Sequence, residues 1–273
     1  MRRIPPCIVS IAGTDSGGGA GIQADLKTMT VLGGFGMSVI AAVTAQNGLG
    51  VTGIHAIPPD FVRLQLETVR AGFPVAAAKT GMLFSSDIIT ALAEALQDKT
   101  FPLVVDPVCV SQTGHRLLQE EAVDALKSRI LPLADLLTPN RPEAELLADM
   151  AIETEQDVAT AADRLLDMGA KAVLIKGGHF SVSDTLTDWL CLPGRTPKPL
   201  RQIRVDTVHN HGTGCTLSAA IATFLGFGFG LEEAIVQAQK YLHCCLSLGY
   251  APGKGVGPPH HAAPFESFYP IRL

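Results

Sequence analysis

The chain has 273 residues, of which 47% are hydrophobic and 17% charged, and its formal net charge at pH 7 is −5. This length allows one large α/β domain or two small ones with a well-buried core, and the composition excludes a disordered chain. The acidic balance argues against a nucleic-acid backbone or an anionic membrane as a partner. Any polyanion that binds here should therefore be small and held by local donors.

Cysteine usage and the lengths of the apolar runs predict a reduced, cytoplasmic protein. The six cysteines form no C-x-x-C pair. The first apolar run, Cys7–Gly13, is too short for the hydrophobic region of a secretory signal. Two uncharged stretches, Thr28–Pro59 and Thr207–Leu231, are long enough to cross a bilayer, but glycines and polar side chains interrupt both. We therefore expect them to be buried parts of a soluble core.

Strands and helices alternate through the first part of the chain. In order, the pattern predicts a strand at Cys7–Ala12, a helix that Gly17–Gly21 opens and that ends near Leu32, a β-rich run at Gly36–Gln46, a strand at Gly53–Ile57, a helix at Pro59–Ala71, a strand at Val75–Ala78, a helix capped by Ser86 and reaching Gln97, and a strand at Leu103–Val105.

The alternation continues to the end of the chain, apart from one predicted antiparallel pair. A helix at about Gln119–Ile130 and a strand at Asp135–Thr138 come first. They are followed by helices at Pro142–Ala148 and Glu155–Met168, a strand at Ala172–Ile175, the antiparallel pair Thr185–Leu192 and Leu200–Val208, an apolar helix through Ala219–Leu225, a helix at Leu231–Leu248 and an irregular tail at Gly253–Pro259.

This pattern predicts one α/β domain over residues 1–273, with a mostly parallel, doubly wound sheet. In such sheets ligands bind beyond the carboxyl ends of the strands. Polar segments follow most of the predicted strands, and we expect them to converge on one edge of the sheet. These segments are Asp15, Lys79–Met82, Asp106, Asn140–Glu143, Lys176–His179 and His211–Cys215.

The segment His211–Ser218 is the strongest candidate for an anion site. A small-residue loop that opens a helix presents backbone N–H groups together with the positive end of the helix dipole, which suits a phosphate. Cys215 lies in the same turn, where the local field should favour its thiolate. An alternative interpretation is a tight turn in which Thr213 is the N-cap and Cys215 a small core residue.

Two common nucleotide motifs are excluded. The segment Gly19–Ala24 matches G-x-G-x-x-A, but no acidic residue lies between Asp25 and Asp60 to bind the ribose of a dinucleotide. A phosphate-binding loop of the G-x-x-x-x-G-K-[ST] type is absent, because the only Gly-Lys pair, Gly253–Lys254, is followed by Gly255.

Seven segments in register carry a resemblance that covers nearly the whole chain. They are Gly13–Asp25, Thr44–Asn47, Lys79–Met82, Asp106–Val108, Thr138–Glu143, Lys176–His179 and His211–Ser218. In this order they closely resemble the hydroxymethylpyrimidine/phosphomethylpyrimidine kinases of thiamine biosynthesis, which belong to the ribokinase-like family. The resemblance implies a ribokinase-like three-layer sandwich, ATP and Mg²⁺ as cosubstrates, and a homodimer.

The resemblance also implies roles for the residues that surround the phosphoryl group. The amides of Gly212, Thr213, Gly214 and Cys215 would hold the migrating group, with Lys176 offsetting its charge, and Asn140 and Gly178 would join the nucleotide site. Asp106 and Glu143 would organise Mg²⁺, although Glu143 is also in place to cap a helix. Cys215 stands where sugar-kinase relatives have an aspartate base, and we expect it to act as the base or to position the hydroxyl.

For the pyrimidine the resemblance points to a set of small, polar and apolar residues. These are Gly13, Ala20, Asp25, Thr44, Gln46, Met82, Val108 and Cys215. Asp25 and Gln46 would complement the edge of an aminopyrimidine, with Met82 and Val108 as apolar walls. Thr44 departs from the valine that is common at its position, which affects fine substrate preference.

Two other functions remain open, and several residues favour structural roles. A pyridoxal kinase of the same subfamily is the nearer rival, and a non-catalytic pyrimidine-binding protein is the more distant one. His209 and His211 alternate as on a strand and lack the company of a zinc site, so we interpret them as structural or exposed. The polar loop Gln112–Arg116 could be a flap that closes over ATP.

Overall fold

The computed structural model describes residues 4–109, 118–177 and 184–268, and these contain ten strands and eight α-helices. The strands are β1 Cys7–Ala12, β2 Phe35–Ile40, β3 Ala42–Asn47, β4 Gly50–Ala56, β5 Val75–Thr80, β6 Leu103–Val105, β7 Leu136–Leu137, β8 Val173–Ile175, β9 Thr185–Cys191 and β10 Lys198–Ile203. The α-helices are α1 Gly21–Val31, α2 Pro59–Gly72, α3 Ser86–Leu96, α4 Glu120–Ala125, α5 Arg141–Ala148, α6 Glu155–Asp167, α7 Thr213–Gly226 and α8 Leu231–Ser247.

Eight strands form one sheet in the order β10-β9-β8-β7-β6-β5-β1-β2. The pairs from β8 to β2 are parallel, and the pairs of β9 with β8 and with β10 are antiparallel. The remaining strands, β3 and β4, form a separate antiparallel ribbon. This arrangement confirms the predicted mostly parallel sheet and the predicted antiparallel pair.

Helices cover both faces of the sheet, which gives three layers with a core on each side. One core lies under α2 to α6 and is built from residues such as Leu66, Leu92 and Leu165. The other lies under α1, α7 and α8, where Met29, Ile221 and other small or aliphatic side chains pack against the sheet. The predicted three-layer sandwich is therefore confirmed. No helix among the described residues is long and apolar enough to cross a membrane.

The predicted run Gly36–Gln46 is two strands rather than one. The chain turns at Ala41, whose N–H donates to Ala12 O at 2.9 Å, while Ala41 O accepts from Ile57 N at 3.0 Å. Beyond this corner β3 leaves the main sheet and pairs with β4. An alternating apolar pattern does not change where a chain passes from one sheet to another. The sequence prediction therefore joined β2 and β3 into one strand.

Other boundaries also shift by a few residues. The Oγ of Ser85, not of Ser86, accepts the N–H of Ile88 and caps α3. The predicted helix at Gln119–Ile130 is α4 followed by a π-helical turn. The predicted strand at Leu200–Val208 ends at Ile203, where pairing with β9 stops. The predicted strand at Val75–Ala78 runs on to Thr80, so Lys79 lies inside the sheet.

A buried histidine ties the tail to the start of α7 and gives the fold a pH dependence. His261 Nε2 lies 3.0 Å from Thr216 Oγ1, and His261 O accepts from the Tyr241 hydroxyl at 2.7 Å. Burial, with a smaller repulsion from Lys27 and His260, lowers the pKa of His261 to about 4. An unfolded histidine titrates near 6.5, so below that pH the unfolded state binds the proton first.

We expect the free energy of unfolding to fall by about 2 kcal/mol through His261 as the pH is lowered from 7.5 to 5. The contribution of His261 to stability is fully present above the pKa of histidine in the unfolded state, about 6.5. It is lost as the pH falls towards the lower pKa of His261 in the folded state. Urea unfolding at both pH values, on the wild type and on His261→Gln, measures the effect as a difference in slope. Equal pH slopes in the two proteins would contradict it.

Candidate active site

Two helix N-termini meet at the carboxyl edge of the sheet. Helix α1 begins at Gly21, α7 begins at Thr213, and the loops before them touch. Gly212 has φ of +83°, and a Cβ built on it would lie 2.0 Å from Gly19 O. Only glycine allows so close a backbone approach in this conformation. The positive ends of two helices are thereby brought to one place.

The first turn of α7 offers fewer amides than the sequence predicted. The N–H of Thr213 donates to Asn210 O at 3.2 Å, and its hydroxyl donates to the same oxygen. Among the described residues, the amides of Gly214 and Cys215 have no acceptor, as expected for the first turn of a helix. The predicted set of four donors is therefore corrected for Thr213, whose amide closes the turn.

A lysine and a carboxylate lie directly beside this turn. Lys176 follows β8, and its Nζ is 3.1 Å from Oδ1 of Asp106, which follows β6. A methyl group on Gly214 would lie 3.3 Å from the Lys176 Nζ. Burial alone would lower the pKa of Lys176, but the charges of Asp106 and Glu143 outweigh it and raise that pKa. Lys176 is therefore a fixed cation at the N-terminus of α7.

Asn140 and Glu143 form a capping box at the start of α5. The Asn140 side chain accepts the N–H of Glu143 at 2.9 Å, and Glu143 Oε2 accepts the N–H of Asn140 at 2.9 Å. Burial and the charge of Asp106, opposed by Lys176, raise the pKa of Glu143 to about 7. The capping role is thus present, and the buried carboxylate also accepts the backbone N–H of Cys109.

The donor set at Asp106 and Glu143 fits Mg²⁺. The charge of one buried carboxylate, Asp106, helps to raise the pKa of the other, Glu143, although Lys176 opposes that rise, and a hard cation would favour the ionised form of both. No group of three or more histidine, cysteine, aspartate or glutamate side chains suited to a metal occurs among residues 4–109, 118–177 and 184–268. Mg²⁺ commonly binds through one or two carboxylates and takes its other ligands from phosphates and water.

Asp25 is not placed as the sequence predicted. It is completely buried on α1, and Lys79 Nζ lies 3.0 and 2.8 Å from its two oxygens. The Ser10 hydroxyl donates to Oδ2 at 2.5 Å. Burial alone would lower the pKa of Lys79, but the charge of Asp25 outweighs it and raises that pKa. The carboxylate is occupied by this ion pair, which corrects the predicted direct contact with a pyrimidine.

Cys215 lies between the two helix N-termini. Its sulfur accepts a hydrogen bond from the N–H of Gly21. Burial nevertheless raises the pKa of the Cys215 thiol to about 11, against the opposing effect of Lys79. The expectation that the local field favours a thiolate is therefore wrong, because the loss of solvation outweighs the helix field. At neutral pH this residue is a thiol.

The remaining residues predicted for the substrate lie around a small apolar cluster. Met82 and Val108 belong to it, together with Ala42 and neighbours on the ribbon. A Cβ on Gly13 would lie 2.3 Å from Met82 Cε, so the end of the Met82 side chain packs directly against this glycine. Val108 has φ of +37°, a strained conformation for a β-branched residue. The structure therefore brings Gly13, Met82 and Val108 together at this edge.

Thr44 and Gln46 approach from the separate ribbon. The Thr44 hydroxyl donates to Thr14 O at 2.7 Å, and Gln46 Oε1 lies 3.3 Å from the same hydroxyl. Ala20, just before α1, donates its N–H to Asp15 Oδ2 at 2.8 Å. The ribbon thus closes over the loop that joins β1 to α1.

Sequence reasoning missed the pair of Asp15 and His211. Asp15 is buried, accepts the N–H groups of Gly17 and Gly19, and lies 2.9 Å from His211 Nε2. Burial alone would raise the pKa of Asp15, but the bond to His211 and the backbone donors outweigh it and lower that pKa. His211 is therefore held by a carboxylate and is not on a strand. The Asp-x-Gly spacing at Asp15–Gly17, typical of an Asx turn, was the available signal.

Some predicted residues lie outside the part of the chain that the structure describes. These are Gly178, His179 and the flap Gln112–Arg116. Their predicted roles stay predictions.

Comparisons with known proteins identify the family of this chain. The family model for phosphomethylpyrimidine kinase matches residues 15–260. The chain is 47% identical over 259 residues to the hydroxymethylpyrimidine/phosphomethylpyrimidine kinase of Haemophilus influenzae, covering 94% of this chain and 96% of that protein. It is 46% identical over 255 residues to the thiamine biosynthesis bifunctional protein ThiED of Geobacter sulfurreducens, covering 93% of this chain and 52% of that one. It thus spans about half the length of that relative.

Solved structures show the same fold. The pyridoxal kinase of Bacillus subtilis, solved as an ADP complex, is 35% identical with a TM-score of 0.87, covering 96% of this chain and 99% of that one. The phosphomethylpyrimidine kinase of Clostridium difficile is 38% identical with a TM-score of 0.76, covering 87% of this chain and 98% of that one.

The three-layer fold, with a helix mouth flanked by a fixed lysine and two carboxylates, defines a kinase of the ribokinase-like class. Within that class, the chain belongs to the phosphomethylpyrimidine kinase family.

Proposed function

We propose that this chain uses ATP and Mg²⁺ to phosphorylate the hydroxymethyl group of 4-amino-5-hydroxymethyl-2-methylpyrimidine and then the resulting monophosphate. The observation that carries this proposal is the meeting of the α7 amides with Lys176 and Asp106, while Gln46 Nε2 of the ribbon lies 3.5 Å from Nε2 of His211 in the loop before α7. The names of the relatives in Haemophilus influenzae and Clostridium difficile support the same substrate.

The phosphoryl group is held mainly by electrostatics in this proposal. The substrate oxygen bonds to the γ-phosphorus of ATP while the bond from that phosphorus to the ADP oxygen breaks, and the hydroxyl proton passes to an oxygen of the transferred phosphoryl group. The amides of Gly214 and Cys215, together with Lys176, face the negative charge on the transferring group. A preorganised donor of this kind contributes about 10²–10³ in rate. Asn140, whose side-chain oxygen is used in the cap, contributes to the nucleotide site through its place beside Lys176.

Asp106 and Glu143 would hold Mg²⁺, which when bound supplies charge neutralisation to the phosphate oxygens. We expect Glu143→Gln to raise the Mg²⁺ concentration for half-maximal activity about tenfold, because it removes charge while the amide preserves the capping box. A titration of activity against Mg²⁺ measures this. Glu145→Gln on the same helix is the control, and an equal shift in that variant would contradict the assignment.

The pyrimidine ring would bind between the ribbon and the apolar cluster. Gln46 supplies an amide to the ring edge, and Met82 and Val108 supply the walls. Gly13 and Ala20 leave room beside them, and Thr44 shapes the ribbon through its bond to Thr14. Asp25 would not contact the ring, because its carboxylate is bound to Lys79.

Cys215 would orient the attacking hydroxyl as a thiol and would not take its proton. We therefore expect Cys215→Ser, which keeps a small group able to donate and accept, to retain at least about a tenth of the wild-type kcat. A general base would contribute about 10²–10⁴, and its loss would affect serine and alanine variants alike. Steady-state kinetics on Cys215→Ser and Cys215→Ala, with Cys244→Ser as a control on α8, decide between these results.

A pyridoxal kinase is the second candidate, favoured by the likeness to the Bacillus subtilis pyridoxal kinase. ADP release with hydroxymethylpyrimidine, its monophosphate and pyridoxal, measured in parallel, separates the two. We expect the highest kcat/KM with hydroxymethylpyrimidine. A preference for pyridoxal would overturn the proposed substrate, and no ADP release with any of the three would favour a non-catalytic binding protein.

We further propose a cytoplasmic homodimer with no nucleic-acid partner. Support for the dimer comes from exposed apolar side chains on the ribbon, Val43 and Leu49, and on α2, Phe61 and Leu64. The net charge of −5 opposes nucleic-acid binding. Light scattering on the purified protein measures the oligomeric state.

A further inference from the structure

Strand β9 carries a buried carboxylate, that of Asp188. Asp188 is 2% exposed. Its Oδ1 accepts the N–H of Gly177 at 2.8 Å, and its Oδ2 accepts Gln239 Nε2 at 2.7 Å and Gln202 Nε2 at 3.3 Å. These donors come from the end of β8, from α8 and from β10. Burial of a carboxylate costs free energy unless hydrogen bonds compensate it, and here the compensating bonds link Asp188 to three other elements.

Gly177 follows Lys176 directly, at the point where the chain leaves the sheet. A Cβ on Gly177 would lie 1.6 Å from Thr187 O, so the backbone here is pressed against β9. Lys176 N donates to Pro139 O at 2.9 Å on its other side. The Lys176–Gly177 backbone is thus fixed from two neighbouring strands, and Asp188 provides one of the two attachments.

The direction of the Lys176 side chain depends on this attachment. Its Nζ reaches Asp106 at 3.1 Å and lies beside Gly214 at the mouth of α7. Burial raises the pKa of Asp188, while Lys176 opposes that rise, so the two charges act on each other. A rotation of the Gly177 peptide would turn the backbone from which the lysine projects.

We propose that Asp188 is a positioning residue for the nucleotide phosphates, because its bond to the Gly177 amide fixes the direction in which Lys176 presents its ammonium group. This inference rests on the proposed role of Lys176 in binding ATP. It assigns to Asp188 an effect on the nucleotide and none on the pyrimidine. The side-chain partners of Asp188 are on β10 and α8, and β9 and β10 lie at the opposite end of the sheet from β1 and β2, whose following segments contact or form the ribbon.

The test compares Asp188→Ala, Asp188→Asn and Asp135→Ala. Asp135 is the matched control, because its carboxylate also accepts a backbone N–H, that of Leu103 at 2.8 Å, but at the opposite end of the strands. Calorimetry measures the binding of a non-hydrolysable ATP analogue with Mg²⁺, and separately the binding of hydroxymethylpyrimidine. Kinetics give the KM for ATP.

We expect Asp188→Ala to weaken binding of the analogue and to raise the KM for ATP at least tenfold, with pyrimidine binding changed less than twofold. Asp188→Asn keeps an oxygen for the Gly177 amide without its charge, and we expect a two- to threefold effect on the nucleotide. Asp135→Ala should change neither affinity.

Unchanged analogue binding in Asp188→Ala, or an equal loss of both ligands, would overturn the inference. If Asp188→Ala does not fold, Asp188→Asn decides, and an unaltered KM together with unaltered hydrogen exchange at Gly177 would overturn it. Analogue binding needs no turnover, so this result is independent of which alcohol the enzyme phosphorylates. A wild type that binds the analogue but phosphorylates no pyrimidine would contradict the proposed function alone.

Discussion

Replacing Gly212 with alanine is expected to lower kcat/KM by about 10²–10³. The added methyl would meet Gly19 O at 2.0 Å in a conformation with φ of +83°, so the loops before α1 and α7 must separate. That separation moves the amides of Gly214 and Cys215 away from the phosphoryl group they are proposed to hold. Steady-state kinetics with the pyrimidine and ATP measure the loss.

Gly228→Ala supplies a matched control for this variant. Gly228 has φ of +88°, but nothing lies within 4 Å of a Cβ built on it, and it is at the far end of α7. Both substitutions carry the same backbone strain of about 1 kcal/mol, and only the first carries the clash. Activity in Gly212→Ala that equals that of Gly228→Ala would show that the close approach of the loops is not needed.

Breaking the ion pair beneath the site is expected to have the largest effect on stability. Lys79→Met should reduce the free energy of unfolding by about 3–5 kcal/mol, since it leaves Asp25 buried without a counter-charge. The double variant Lys79→Met, Asp25→Asn should recover a large part of that loss, because the asparagine can still accept from Ser10. Urea unfolding of Lys79→Met, of Asp25→Asn and of the double variant gives the three values that the comparison needs.

The exposed pair of Lys198 and Glu232 is the control for this comparison. Its side chains are about half exposed, so Lys198→Met should cost less than about 1 kcal/mol. If the double variant at 79 and 25 is as unstable as the sum of its single changes, the two side chains do not act as a pair.

The edge of the sheet that carries the site could be predicted from the sequence. The polar segments follow short apolar runs that are typical of buried strands. Asp106, Lys176 and the turn before α7 come together as expected. That prediction needs only the topology of a parallel sheet, in which all carboxyl ends lie on the same side. The chain's order of strands and helices contains this information.

The side-chain contacts could not be predicted, because they depend on distances between segments far apart in sequence. Asp25 is 54 residues from Lys79, and nothing in the local pattern of either shows that they neutralise each other. The same holds for Asp15 and His211, which are 196 residues apart. The prediction of a thiolate at Cys215 was wrong for a related reason. The helix field can be inferred from the local sequence, whereas the burial that raises the pKa of Cys215 depends on segments far away in the chain.

The ribbon of β3 and β4 separates the residues proposed to bind the substrate ring from those proposed to transfer the phosphoryl group. Gln46, which is proposed to recognise the ring edge, and Thr44, which shapes the ribbon, lie on two strands that are separate from the eight-stranded sheet. The residues proposed to bind the phosphates, Lys176 and Asp106, directly follow strands of the sheet itself. If these proposed roles hold, we expect changes to the ribbon to alter which heterocycle is accepted without changing the residues that transfer the phosphoryl group, a route by which one scaffold could serve more than one vitamin precursor.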